Sequence, residues 1–216
     1  MEITDPAVED YIRGLLARYD DPVLLEMEAV AKERGFPIVG RMVGVAIELL
    51  ARSIGARRVF ELGSGYGYSA YWFARAVGPE GELHLTDGDP ENERQAVSYL
   101  SRAGLASPIT FHVGDAVTSL NAIGGRFDIV YCDIDKDGYP QAWRAARDRI
   151  RPGGLYICDN TLWSGRVTGD ASGKEDSRPH YTAAIKEMNE AVASDPAYLA
   201  TILPIRDGVL VALRIG

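Results

Sequence analysis

The side chains best suited to chemistry are concentrated in Tyr131-Cys132-Asp133-Ile134-Asp135-Lys136-Asp137-Gly138-Tyr139 and in the later Cys158-Asp159-Asn160-Thr161. Each cluster ends an apolar run, 127–131 and 154–157, with the length and β-rich composition of a buried parallel strand. In open parallel α/β sheets, ligands bind in the crevice beyond the carboxyl ends of the strands, which lets Asp133, Asp159 and Asn160 converge on one site. Two carboxylates and an amide are hard oxygen donors. They suit Mg²⁺ or Ca²⁺ better than zinc, which prefers nitrogen and sulfur. A competing reading is that each Asp caps the helix after its strand, which would explain the two separately.

These two strands belong to a longer alternation. Apolar strand-like segments at 59–62, 83–87, 109–113, 129–132 and 155–158 are separated by helix-length segments at 69–77, 90–103 and 141–150. That order predicts a doubly wound, mostly parallel α/β sheet. Two further strands, 198–203 and 209–215, flank an Asp207-Gly208 turn signal and are expected to form an antiparallel hairpin. Asp5-Pro6 and Asp21-Pro22 are helix-start signals, and with Met42, Val45, Ala46, Leu49 and Leu50 they predict three helices before any strand. The expected organisation is one domain over 1–216, with helical cover at 1–55 and an α/β core at 56–216. That cover suits either a pocket wall or a dimer surface. Residues 164–179 read as a polar loop, and 181–193 as a helix.

The 216 residues are 46% hydrophobic and 25% charged, ordinary for a globular protein, and the formal net charge is −8. Such a charge argues against a broad nucleic-acid or anionic-membrane surface. No apolar run approaches a membrane span and the N-terminus lacks a basic, then apolar, leader, so the expected location is the cytoplasm. Cys132 and Cys158 are expected as reduced core thiols, and His84 and His112 as satisfied strand histidines.

The first strand leads into Glu61-Leu62-Gly63-Ser64-Gly65-Tyr66-Gly67-Tyr68-Ser69, where glycines permit close backbone approach to a ligand. Their spacing is not G-x-G-x-x-G. Asp87 ends the second strand, where an acid can accept both ribose hydroxyls. A carboxylate at Glu61 would repel a pyrophosphate and suits an ammonium group, which points to S-adenosylmethionine (SAM) rather than NAD.

The Glu61-to-Ser69 turn, Asp133-x-x-Lys136-Asp-x-Tyr139 and Asp159-Asn160-Thr161-Leu162-Trp163-Ser164-Gly165 resemble, in order and spacing, the motifs of the cation-dependent O-methyltransferases, the group of the catechol and caffeoyl-CoA enzymes. The similarity runs from about Val39 to the C-terminus. It implies a Rossmann-like class I methyltransferase fold, with seven strands, a C-terminal antiparallel hairpin strand and usually a homodimer. Carried over by position, Asp133, Asp159 and Asn160 match the metal ligands, for Mg²⁺ or alternatively Ca²⁺ or Mn²⁺, and Lys136 matches the general base. Val39, Gly40, Glu61, Gly63, Gly67, Ser69, Asp87, Ala116 and Asp133 match cofactor-contacting positions. The implied acceptor is a small aromatic hydroxyl compound of catechol or phenylpropanoid type. Asp135 stands where some catechol enzymes carry an aromatic residue, which leaves the acceptor open. Two alternatives remain at this level: methylation of a hydroxylated tRNA base, which Arg144, Arg147, Arg149 and Arg151 would serve, and a SAM-binding module without catalysis. Lys136 also admits a plain ion pair with Asp135 or Asp137.

Overall fold

The computed structural model describes residues 5–172 and 176–216. Its N-terminal helices begin where Asp-Pro pairs place them. Asp5 accepts a hydrogen bond from the Ala7 amide (2.8 Å) and starts α1 (Pro6–Leu15). Asp21 accepts from the Val23 amide (2.9 Å) and starts α2 (Pro22–Arg34), which stops at Gly35 with φ 63°. In each case a carboxylate satisfies an amide that the first helical turn leaves unpaired, and proline costs nothing at that position. Helix α3 (Gly40–Ser53) completes the cover.

The core is a seven-stranded sheet: β1 (Arg58–Leu62), β2 (Glu82–Asp87), β3 (Ile109–Val113), β4 (Phe127–Cys132), β5 (Ile150–Cys158), β6 (Tyr198–Leu203) and β7 (Val209–Arg214), in the order β3-β2-β1-β4-β5-β7-β6. Pairings among β1 to β5 are parallel, and β7 runs antiparallel to both β5 and β6. One sheet face packs on α2, α3, α4 (Tyr68–Val77) and α5 (Pro90–Arg102). The other packs on α6 (Ala116–Ala122), α7 (Tyr139–Ala146) and α8 (Pro179–Ala193). Side chains alternate faces along a strand. Phe60 and Leu62 therefore join the second core while Val59 joins the first.

Several boundaries differ from the sequence reading. Helix α6 lies outside the expected helices; its signal is Asp115, which accepts from the Thr118 amide (2.7 Å) ahead of buried Val117 and Leu120. Helix α7 starts at Tyr139 because Pro140 suits a first turn, and residues 147–149 form a 3₁₀ turn before β5. Strand β5 is longer than expected, with a register irregularity opposite Phe127 and Ile129. The expected polar loop begins as 3₁₀ turns over Trp163–Ser172, its residues 173–175 lie outside the described ones, and α8 opens at Pro179. His84 Nδ1 and His112 Nε2 lie 3.1 Å apart, and both rings stack on Phe60. Both cysteines are free and buried. No helix among the described residues is long and apolar enough to cross a membrane.

Gly44 sets the distance between α3 and α4, since a Cβ there would lie 2.2 Å from the fully buried Trp72 indole nitrogen. Helix propensity alone favours Ala over Gly by about 1 kcal/mol, whereas overpacking a rigid core costs about 1–3 kcal/mol. Gly44→Ala is therefore expected to be net destabilising, read as a lower urea midpoint at unchanged slope. A raised midpoint would show that this helix contact is loose.

Candidate active site

The carboxyl ends of β1, β4 and β5 finish at one level. Leu62 pairs with Cys132 and Cys132 with Cys158, and the ladder continues one step further: the Asp133 amide donates to Leu62 O (2.9 Å) and the Asp159 amide to Cys132 O (3.1 Å). Asp133, Asp159 and Asn160 thus reach one edge, where with Lys136 they line a cavity of about 800 Å³. Neither Asp is a helix cap. The capping alternative therefore gives way to a shared site.

Asp159 is 2% exposed, and its Oδ1 has no hydrogen-bond partner among the described residues. Burial, then the neighbouring Asp133 charge, push its pKa up to about 7. Asn160 holds φ 56°, a left-handed conformation that Asn tolerates better than most residues. Lys136 Nζ donates to Asp133 Oδ1 (2.9 Å) and to Ile134 O (3.2 Å), so its ion-pair partner is Asp133 and not Asp135 or Asp137. Burial works against the Lys136 ammonium, but Asp133 outweighs it and holds the pKa above the ordinary lysine value. Beneath Lys136 lies the Tyr139 ring (5.0 Å), whose hydroxyl donates to Asp159 O (2.8 Å).

At the other end the glycine turn is tied to the end of β2. The Gly63 amide donates to Thr86 Oγ1 (3.1 Å), the Ser64 amide to Thr86 O (2.7 Å) and the Gly65 amide to Asp87 Oδ2 (3.1 Å). Gly63 combines φ 82° with an approach in which a Cβ would sit 2.6 Å from Asp133 O, so glycine is required there. Glu61 is fully buried beneath the turn, hydrogen-bonded by Ser69, with Oε2 unpartnered. Burial is the main cause that pushes its pKa up to about 8.

The sequence-derived cofactor positions divide in three. Val39, Gly63, Ser69, Asp87, Ala116 and Asp133 line the cavity. Glu61 lies under it and reaches it through Ser69. Gly67 and Gly40 point elsewhere: a Cβ on Gly67 would meet Ala96 of α5 at 3.0 Å, and Gly40 lines a neighbouring cavity of about 740 Å³ beside Arg206. The sequence reading gave no role to Tyr131, Arg178, Tyr181 or Arg206. The Tyr131 hydroxyl is buried and unpartnered on the same sheet face as Glu61. Arg178, Tyr181 and Arg206 line the cavity, and the Tyr181 ring packs on Trp163 (5.9 Å between centroids). Only contacts between distant segments reveal them.

A parallel sheet reversed by one antiparallel strand, with a cavity at the glycine turn, is the class I methyltransferase architecture. A family model described as O-methyltransferase matches residues 17–215. Catechol O-methyltransferase of Niastella koreensis is 32% identical over 203 residues, covering 91% of this chain and 89% of that protein. Caffeoyl-CoA O-methyltransferase 5 of Nicotiana tabacum is 32% identical over 180 residues, covering 80% and 75%. Among solved structures, the O-methyltransferase TomG of Streptomyces achromogenes, in complex with SAM, has a TM-score of 0.86 at 29% identity, covering 97% of this chain and 96% of that one. An O-methyltransferase of Bacillus cereus in complex with S-adenosylhomocysteine (SAH) has a TM-score of 0.84 at 27% identity, covering 96% and 97%. The chain belongs to this O-methyltransferase family.

Glu61 links the site to stability. Its raised pKa means the folded protein keeps a proton that the unfolded chain loses above its ordinary 4.5. Its contribution is complete below about pH 4.5 and is lost as pH rises through about 8. Without ligand, wild-type stability is expected to fall over that window more steeply than that of Glu61→Gln, measured by urea denaturation at several pH values. Parallel curves would contradict the assignment.

Proposed function

We propose that this protein transfers the methyl group of SAM to one hydroxyl of a catechol-like or phenylpropanoid acceptor, with a divalent cation held by Asp133, Asp159 and Asn160. The observation that carries the reading is the buried, unpartnered Asp159 Oδ1 beside Asp133 at the cavity edge. A buried acid without a donor is costly, and a cation supplies the missing partner. Mg²⁺ is the first choice for an all-oxygen set, with Ca²⁺ or Mn²⁺ as substitutes. When bound, such an ion lowers the pKa of a coordinated hydroxyl and orients it.

The protein's own groups do the rest. Unpartnered Glu61 Oε2 suits the donor's ammonium, Asp87 its ribose hydroxyls and the start of α6 at Ala116 its adenine. The methyl leaves the sulfonium and bonds to the acceptor oxygen, with SAH as the other product. The hydroxyl proton passes to Lys136, which accepts it only in its neutral form. That form requires Asp133's charge to be engaged elsewhere. Trp163 and Tyr181 offer apolar faces to an aromatic ring. The reading includes a homodimer, for which exposed Val8, Tyr11 and Leu15 on α1 supply apolar surface. Nothing comparable supports tRNA: Arg144, Arg147 and Arg151 are in ion pairs with Glu187, Asp195 and Asp128, and Arg149 donates to the carbonyls of Leu120, Ile123 and Gly125.

Calorimetry is expected to show SAM binding without comparable NAD binding, because Glu61 underlies the glycine turn; equal affinities would remove that argument. Asp159→Ala is expected to lose Mg²⁺ binding and acceptor binding together. Lys136→Ala is expected to keep Mg²⁺ affinity while turnover falls by roughly 10²- to 10⁴-fold, the usual range for a lost acid–base group. Full activity of EDTA-treated protein on a catechol, or wild-type Mg²⁺ affinity in Asp159→Ala, would overturn the metal site.

A further inference from the structure

We infer that Arg206, in the turn between β6 and β7, selects acceptors that carry a carboxylate over neutral or cationic ones. This inference rests on the proposed reaction and names the acceptor's charge. Arg206 holds φ 51°, a conformation a glycine would adopt freely and an arginine adopts at a cost. Such strain at a non-glycine residue directs attention to the side chain. The turn is fixed against the segment that follows Asn160. The Thr161 amide donates to Gly208 O (3.0 Å), the Leu162 amide to Asp207 O (2.8 Å) and the Ser164 amide to Asp207 Oδ1. Arg206 is thereby held at a set place relative to Asp159 and Trp163.

Arg206 lines both the main cavity and its neighbour. Among the described residues its hydrogen bond is Nη1 to Ile38 O (2.8 Å), and it is in no ion pair. A guanidinium has five N–H donors, so most of its fork is left for solvent or a ligand. Charge is distributed unevenly along the cavity. Asp87 and Asp115 line the β2 and β3 end, whereas the cations Lys136, Arg178 and Arg206 line the other end. The acids that line the main cavity with those cations are Asp133 and Asp159, assigned to the metal, and the exposed Asp135 and Asp137; Asp20 and Glu28, which line the neighbouring cavity with Arg206, are in ion pairs with Arg41, and Asp176 accepts from the Arg178 amide. An unpaired guanidinium beside the acceptor's place matches the bidentate geometry of a carboxylate and repels an ammonium.

The test uses the full chain with SAM and Mg²⁺ on a matched pair, caffeate and its methyl ester, which share the diol and differ in charge, and on a catechol bearing an aliphatic ammonium. Wild type is expected to prefer caffeate, then the ester, then the ammonium compound by kcat/KM. Arg206→Gly, which suits φ 51°, is expected to reduce the caffeate-to-ester ratio by about tenfold or more, the size of one charge-assisted hydrogen bond. Arg206→Lys is expected to retain part of the preference. A merely structural role would change both rates together and leave the ratio alone. Calorimetric binding of caffeate and its ester to the SAH complex reads the same discrimination without turnover. If catechols turn over but the ratio is the same in wild type and Arg206→Gly, this inference fails and the proposed reaction stands. If no catechol turns over while caffeate binding still depends on Arg206, the proposed reaction fails and the anion-selecting role stands.

Discussion

Carboxylates kept dry at the ends of parallel strands are the constraint on which the site depends. Glu61 is fully buried and Asp159 nearly so, and burial is the first cause of both raised pKa values. Taking an ionised acid out of water is costly unless a partner repays it. Each of these acids has a buried oxygen without a partner among the described residues: Ser69 serves one Glu61 oxygen while Oε2 is left, and Asp159 is left with Oδ1. The proposed ammonium and divalent cation would each supply a partner to such an oxygen.

The N-terminal helices close over the glycine turn beneath which Glu61 is buried. Tyr66 packs on Phe36 (4.9 Å between centroids) and its hydroxyl donates to Met27 O (3.0 Å), while the Tyr68 hydroxyl donates to Glu28 Oε1 (2.7 Å). Both tyrosines come from the glycine turn and the start of α4, so the helical cover is bound to the cofactor end itself. Arg41 bridges Asp20 and Glu28, which ties the start of α3 to α2. The segment between these two helices, Phe36-Pro37-Ile38-Val39, is consequently held as a wall of the cavity. Of the two roles open to the cover at the level of sequence, the pocket wall is the one these contacts express.

The fold was legible wherever a local rule decided it. Asp5 and Asp21 cap helices as an Asp-Pro pair predicts, and the Asp207-Gly208 turn closes an antiparallel hairpin. Asp115 and α6 obey the same capping rule. Their sequence signal is weak because a seven-residue helix carries only two buried positions, too few to display a period. Glycines were legible as a turn but not by role. Gly63 makes room for the Asp133 carbonyl and Gly67 makes room for α5, a distinction that depends on which segment packs alongside.

The side-chain partners were the least legible layer, and Lys136 shows why. Its sequence neighbours Asp135 and Asp137 are closer in the chain, but the 3₁₀ turn over Lys136–Gly138 swings the ammonium back to Asp133 and leaves both neighbours exposed. Spacing identified the residues that meet at the edge, because strand ends in register must meet. It did not identify who pairs with whom there, since pairing is set by turns a few residues long and by distant segments such as the one carrying Arg206. The same division holds for charge. A net −8 describes the whole surface and conceals a cavity in which Asp87 and Asp115 stand at the β2 and β3 end while Lys136, Arg178 and Arg206 stand among Asp133, Asp135, Asp137 and Asp159, a mixture that exists only because the β6–β7 turn and the start of α8 come to the ends of β4 and β5.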